Sequence, residues 1–462
     1  MRKIFFYILM FVMVSGVSSA QENRLPMLKI SSNKRFFSTS DGKPFFWLGD
    51  TGWLLFVKSS REDAIKYLDT RQRQGFNVVQ VMVLHQLKSA VNKYGDSALK
   101  NANISSPVTT TGSDFTKPLE YDYWDHMDFI IDEAAKRGIY MALVPIWGSN
   151  VKEGNISPDQ ARLYAKFLAG RYKNKSNIIW LNGGDIKGTD GMVIWKMIGS
   201  VIKQYDKSHL ITFHPRGRNS SSEWFHKEPW LDFNMFQSGH KTYAQDTSAN
   251  ETLHYGEDNW RYVTNDYKLA PVKPTLDGEP SYENIPHGLH DSIQPRWKDA
   301  DLRRYAYWNV FSGGAGFTYG ENAVMQFHRR GDTDANFGVN ANWDETIGAP
   351  GANQMQHLKK LMLSKNYYAR VPAQEILVDN TNVKYEHLLA TRGDNYAMVY
   401  TYTGRNFKVD LSKLTFRVSK ATWFHPEDGR LEIITNNMTS DIVDFDPPGD
   451  HLIGNDWVLI LE

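Results

Sequence analysis

The sequence predicts an α/β fold, a (β/α)8 TIM barrel followed by a small antiparallel β-sandwich. Three observations predict it. Eight apolar runs, near Phe46, Val79, Leu143, Ile179, Thr212, Met235, Leu276 and Phe317, alternate with segments of helical period. The span from Trp47 to Phe317 is 270 residues, close to the roughly 250 typical of such a barrel. After Pro372 the helical period stops, and short alternating runs separated by turn residues replace it.

Each element carries its own signal. "LKISSNKRFFSTSDGKPFFWLGDTGW" reads as a hairpin turning at Asp41-Gly42 and leading into a first buried strand. Ser60 to Gly75 is a helix, capped by Ser60 with Asp63 as its capping-box partner and stopped by Gly75. "NVVQVMVL" is a β-branched run suited to a strand buried on both faces. Tyr123 to Gly138 places Met127, Ile130, Ile131 and Ala134 on one helical face, and "YMALVPIW" follows as a strand. Ser157-Pro158 opens another helix, expected to end near Gly170. The runs "IIWLNGGD", "LITFHPRGR", "DFNMFQSGH", "KPTLDGEP" and "GGAGFTYGE" complete the eight, and a last helix is expected over Gln354 to Ser364. An open doubly wound sheet would need a phosphate-binding glycine turn after an early strand, and "GDTGW" does not fit that fingerprint. The expected organisation is a leader over 1–20, the barrel over 21–370 and the sandwich over 371–462.

Composition excludes several kinds of function. The start "MRKIFFYILMFVMVSGVSSAQ" has a basic end, an apolar run and small residues before Ala20, the pattern of a secretory signal peptide too short to span a bilayer. Arg2 and Lys3 leave with it, so 51 of the 53 basic residues face 52 acidic ones. A near-neutral mature chain argues against nucleic acid or an anionic membrane as partner, and no other stretch is suited to membrane insertion. With no cysteine, disulfides, thiolate catalysis, cysteine zinc sites and a cysteine-linked lipid anchor are excluded. The expected location is therefore exported, periplasmic or secreted. The 14 Trp, 23 Tyr and 24 Phe suit a well-filled core, and equally a cleft where ring faces stack on sugar C–H faces.

Barrel enzymes build their sites at the C-terminal ends of the strands. Those positions hold, in order, Asp50 and Trp53; His85 and Gln86; Trp147; Asn182 and Asp185; His214, Arg216 and Arg218; Gln237 and His240; Glu279 and Glu283; Tyr319 and Glu321. No metal-ligand spacing or cofactor fingerprint occurs among them, so neither a metal nor a cofactor is expected. Carboxylates, amides, imidazoles and Trp together are what hydroxyl-rich ligands require, which points to an oligo- or polysaccharide partner. Asp185 and Glu279 stand out. They are 94 residues apart, three βα units, so they sit after strands four and seven, nearly opposite across the mouth. Glycosidic hydrolysis needs such a pair, one carboxyl to protonate the leaving oxygen and one to attack the sugar or activate water. Asp50, Trp53, His85, Trp147, Asn182, His214, Gln237, His240, Glu283 and Tyr319 are the expected substrate-binding residues. Structural alternatives stand beside these roles: Asp185 as a loop or cap acid, Glu279 paired to Arg216, Glu283 as the nucleophile.

"GKPFFWLGDTGW", "WLNGGD" and "DGEPSYE", in that order and spacing, resemble glycoside hydrolase family 140 over about Leu28 to Tyr368. The tail resembles the small β-domain that carries a collagen-binding label. The resemblance implies an apiosidase, cleaving the apiose–galacturonic acid bond at the base of rhamnogalacturonan II side chains in pectin. By position it implies Asp185 as acid/base and Glu279 as nucleophile, in a retaining mechanism. The related clan has an Asn directly before a Glu acid/base; here two glycines separate Asn182 from an Asp. Two other readings remain at this point: a barrel glycosidase for another glycan, and a non-catalytic carbohydrate- or matrix-binding protein.

Overall fold

The computed structural model describes residues 25–462 except 155, 252, 379, 436, 437 and 439. The expected signal peptide lies outside the described residues. All eight expected barrel strands are present: β1 (Trp47–Thr51), β2 (Val78–Met82), β3 (Tyr140–Val144), β4 (Ile178–Ile186), β5 (Ile211–Pro215), β6 (Asn234–Gln237), β7 (Thr275–Asp277) and β8 (Gly316–Tyr319). They pair in parallel in the order β5-β4-β3-β2-β1-β8-β7-β6, with a two-residue antiparallel strand, Asn219–Ser220, added on β6. Closure between β5 and β6 is made by individual bonds. Asp232 donates its N–H to the Ile211 carbonyl (2.8 Å) and accepts from the Ile211 N–H at its carboxylate (2.9 Å). Thr212 Oγ1 donates to the Phe233 carbonyl (2.6 Å).

β2 is buried at all five positions, as its apolar residues require, and the amide nitrogen of its one polar residue, Gln80, finds a partner inside the barrel. Gln80 Nε2 donates to the Gly278 carbonyl at 2.6 Å, tying β2 across to the end of β7. The hairpin pairs Leu28–Ile30 with Phe37–Thr39 and the latter with Pro44–Phe45, turning at Gly42, whose φ is 87°.

The outer helices follow their caps. Helix α1 (Arg61–Arg73) starts in a complete capping box of Ser60 and Asp63. Helix α2 (Tyr123–Lys136) uses Asp122 and Asp125 in the same way and buries Met127, Ile130, Ile131 and Ala134. Helix α3 (Pro158–Tyr172) begins as expected on Ser157 but runs two residues past Gly170, because burial of Leu168, Ala169 and Tyr172 outweighs the local cost of one glycine. Helices α4 (Trp260–Tyr267) and α5 (Asp299–Phe311) precede β7 and β8. Helix α6 (Pro350–Leu363) starts a turn earlier than expected, with Pro350 in its first turn.

The tail forms two antiparallel sheets. The larger orders Val371–Pro372, Leu389–Arg392, Ala397–Thr401, Trp457–Leu461, Ala421–Phe424 and Leu431–Ile434; the smaller pairs Phe407–Asp410 with Ile442–Phe445. Phe407, Val409 and Phe445 of the small sheet share a core with Val399, Trp423 and Leu459 of the large one. This unit sits on α5. Tyr307 stacks on Tyr400 with centroids 4.8 Å apart, and Arg303 donates to both oxygens of Asp456 at 2.8–3.1 Å, both residues buried. Removing Asp456 would leave Arg303 with Asp299 (2.8 Å) as its one carboxylate partner and its Nε and Nη2 without theirs. Asp456→Ala is therefore expected to cost about 1–3 kcal/mol in denaturant unfolding, with tail and barrel transitions both shifted.

Candidate active site

The site forms where β4, β5, β6 and β7 end, around a cavity of about 650 Å³. At the end of β4 the ladder pairs Gly183 with His214 and next Ile186 with Pro215, so Gly184 and Asp185 bulge out of register. Gly183, Gly184 and Asp185 have φ of 89°, 114° and 47°. Packing adds to the backbone demand for glycine. A Cβ on Gly183 would lie 2.6 Å from the His214 carbonyl oxygen, and one on Gly184 would lie 2.7 Å from the Trp147 ring. The bulge lifts Asp185 off the strand into the cavity wall. Its surface is open to solvent, while protein surrounds it at the longer range that governs hydration of its charge.

Glu279, two residues past β7, lies on the same cavity and is 7% exposed. Two imidazoles hold its carboxylate. His240 Nε2 is 3.3 Å from one oxygen, and His214 Nε2 is 3.2 Å from the other, a close contact off the ideal hydrogen-bond line. His214 Nδ1 accepts the Asp185 backbone N–H at 3.4 Å. A neutral imidazole that accepts at Nδ1 carries its proton on Nε2, and here that proton faces Glu279.

The two carboxyls are driven in opposite directions. Enclosure by protein raises the Asp185 pKa, and the negative charge of Glu279 raises it further, to about 6. Burial works against the Glu279 charge, but hydrogen bonding to His214 and His240 outweighs it and holds this group at about 2. Between those values one carboxyl is protonated and its neighbour ionised, the state a general acid and an anionic partner need. Trp53 and Trp147 form one wall with ring centroids 5.3 Å apart, and Trp53 Nε1 donates to the Tyr282 hydroxyl at 3.0 Å.

The family model for an apiosidase-like catalytic domain matches residues 31–369. The chain belongs to the apiosidase-like family. Residues 371–462 match the family model "Putative collagen-binding domain of a collagenase". A solved structure named "Glycoside hydrolase" is 44% identical, with 94% of this chain and 96% of that one covered and a TM-score of 0.88. A glycoside hydrolase family 5 structure from Bacteroides vulgatus ATCC 8482 is 43% identical, with 94% and 93% covered and the same TM-score. No curated protein matches the chain. This apiosidase-like protein is a glycoside hydrolase.

Of the twelve residues expected at the site, the structure brings Trp53, His85, Trp147, Asp185, Gln237, His240 and Glu279 to one cavity. His214 is fully buried beneath it, touching Glu279. Four are corrected. Asp50 is wholly buried, accepting from Tyr67 (2.5 Å) and from Arg71 Nε (2.6 Å), so it anchors α1 to β1. Asn182 donates to the Trp195 carbonyl (2.7 Å) and accepts from the Gly183 N–H (3.1 Å), which fixes the start of the bulge. Glu283 accepts from the Tyr319 hydroxyl (2.5 Å) and the Gly351 N–H (3.0 Å), so both Glu283 and Tyr319 are spent on joining β8 to α6. Burial raises the Glu283 pKa to about 7, and the residue does not line the cavity. Arg216 pairs with Glu251 at 2.8 Å rather than with Glu279.

Sequence reasoning missed Tyr282, Lys241, Leu289 and Phe337 on the cavity wall. Tyr282 carried a readable signal, an aromatic three residues past Glu279 on the same loop; the others come from long loops without a spacing rule. Among the described residues no group of three or more His, Cys, Asp or Glu is placed to hold a metal ion. The bulge yields a direct test. Gly184→Ala must displace Trp147 and strain its own backbone, so stability is expected to fall by about 1–3 kcal/mol and kcat/KM by about 100-fold, read from thermal unfolding and hydrolysis on the same preparation.

Proposed function

We propose that the protein is an exported apiosidase, hydrolysing the apiose–galacturonic acid bond at the base of rhamnogalacturonan II side chains with retention of configuration. The observation that carries this reading is the paired carboxyls with opposed protonation, set in an aromatic-walled cavity of an apiosidase-like domain. Asp185 gives its proton to the glycosidic oxygen as the bond to the anomeric carbon breaks. Glu279 forms a bond to that carbon, and the leaving group departs neutral. Asp185, now a carboxylate, then takes a proton from water as the water oxygen displaces Glu279. Retention in this manner requires the two carboxyls about 5–5.5 Å apart. His214 and His240 keep Glu279 ionised until it reacts, and Trp53 and Trp147 supply ring surface for the sugar.

Product analysis after incubation with rhamnogalacturonan II tests the substrate and the residues together. Released side chains ending in apiose are expected from the native enzyme. A loss of roughly 10²–10⁴-fold in kcat is expected for Asp185→Asn, and no measurable turnover for Glu279→Gln. No release by the native enzyme would remove the apiose assignment and lead to a screen of other glycans. Release that persists in both variants would remove the catalytic pair.

The pH dependence follows from the same two groups. Asp185 must start protonated, so kcat/KM is expected to fall as pH rises through about 6, about tenfold per unit beyond it. Glu279 must start ionised and protonates only near pH 2, so the acid limb of the profile is expected far below the alkaline one, near pH 2. A pH–rate profile with its fall at pH 8 or above would contradict the assignment of Asp185 as the acid.

A further inference from the structure

The loop between β6 and α4, residues 238–259, carries three cavity residues, Gly239, His240 and Lys241, and His240 is one of the two imidazoles on Glu279. Its two ends are fixed from within the barrel. Asp277 accepts from Ser238 Oγ at 2.6 Å and from Asn259 Nδ2 at 3.1 Å, so one buried carboxylate clasps both the departure and the return of the loop. The middle is held differently. Tyr243, three residues after His240, donates its backbone N–H to Glu257 (3.3 Å) and its hydroxyl to Asp258 (2.5 Å). Glu257 is 1% exposed and is neutralised by Arg304 of α5 at 2.6 Å.

The remaining partner of Glu257 comes from the β-domain. The Tyr385 hydroxyl reaches both oxygens of Glu257 at 2.9 and 3.0 Å. The Tyr385 ring packs edge-on against Tyr243 with centroids 5.5 Å apart, and the Lys384 ammonium lies 5.3 Å from the centre of the Tyr243 ring. One 3₁₀ turn of the tail, Lys384–Glu386, thus touches the active-site loop through a hydrogen bond, a ring contact and a cation.

We propose that the C-terminal β-domain is a working part of the active site, with Tyr385 a positioning residue that holds the 238–259 loop, and through it His240, against Glu279. This goes beyond the collagen-binding description of the tail and rests only on Glu279 lying at the reactive centre. Contact with Glu257 is a buried hydrogen bond to a charged group, and losing its donor frees the segment that carries Tyr243. A small displacement of His240 weakens one of the two contacts that keep Glu279 ionised against its burial.

The test compares Tyr385→Phe, which deletes one oxygen, with Lys365→Ala. The latter removes the ion pair between Lys365 and Glu462, another tie between barrel and tail that does not touch the loop. Tyr385→Phe is expected to leave thermal unfolding close to the native curve. It is expected to raise hydrogen exchange over 240–246 about tenfold and to lower kcat/KM about tenfold. The acid limb of the pH–rate profile should move to higher pH, because Glu279 then protonates more readily; Lys365→Ala should change none of these. Exchange that stays at the native rate in Tyr385→Phe would overturn the proposal whatever the activity. Faster exchange with an unmoved acid limb would show a brace without influence on Glu279 and would equally overturn it. Failure of the apiosidase reading shows separately, as absence of hydrolysis by the native enzyme, and loop exchange then decides the proposal alone.

Discussion

One imidazole ties the centre together. His214 sits at the end of β5 with no exposed surface, accepts the Asp185 backbone N–H on one side and presents its other nitrogen to Glu279. The bond on one side and the close contact on the other constrain each other. Acceptance at Nδ1 selects the tautomer with hydrogen on Nε2, so the geometry of β4 dictates which nitrogen can donate to β7. Moving either strand end by a few tenths of an ångström would lengthen a contact already near its limit. The barrel therefore has to hold β4, β5 and β7 in fixed relation, and the bonds from Asp232 and Thr212 that close the sheet beside β5 serve that end.

Electrostatics then follows from placement rather than from residue type. Protein surrounds both carboxyls, Glu279 closely and Asp185 beneath a surface open to solvent, and this alone would raise both. Two imidazoles stand on Glu279, while Asp185 has the charge of Glu279 beside it, and this asymmetry separates the pair. Asp50, Asp277 and Glu283 show what enclosure does without such a role. Each is buried and raised in pKa, and each is bonded to framework donors, Asp50 and Glu283 through one oxygen and Asp277 through both. A buried acid at a strand end is thus as often a rivet as a reactive group, and the distinction lies in whether an oxygen is left facing a cavity.

That distinction explains what the sequence could and could not disclose. Strand positions were legible because a doubly buried strand such as Tyr140–Val144 is built of apolar and aromatic residues throughout, and caps such as Ser60 and Ser157 were legible because orphan N–H groups need an oxygen. Proximity to a strand end located Asp185, Glu279 and both tryptophans. The same rule also selected Asp50, Asn182, Glu283 and Tyr319, since it gives the height of a side chain on the barrel and not the direction in which it points. Asp50 points outward to Arg71, and Glu283 to the amide of Gly351, a partner 68 residues away. Phe337 and Leu289 were out of reach for the opposite reason, being brought to the cavity by loops with no period to read.

The two glycines before Asp185 have a mechanical reading. Between Gly183 and Ile186 the strand spends two residues for which β5 has no counterpart, since His214 and Pro215 are consecutive. A strand that kept register would place its terminal acid directly after Asn182, and a Glu there would need its longer side chain to reach the cavity. Here the added pair, Gly184 and Asp185, bulges toward the cavity, with three successive left-handed residues that only a glycine-rich turn adopts at modest cost. The backbone advances, and a side chain one methylene shorter suffices. The same advance brings the Asp185 N–H within reach of His214, a contact an in-register residue would have given to the ladder. Length taken from the side chain and given to the main chain thus sets both the Asp185 carboxyl on the cavity and its N–H on the imidazole that touches Glu279.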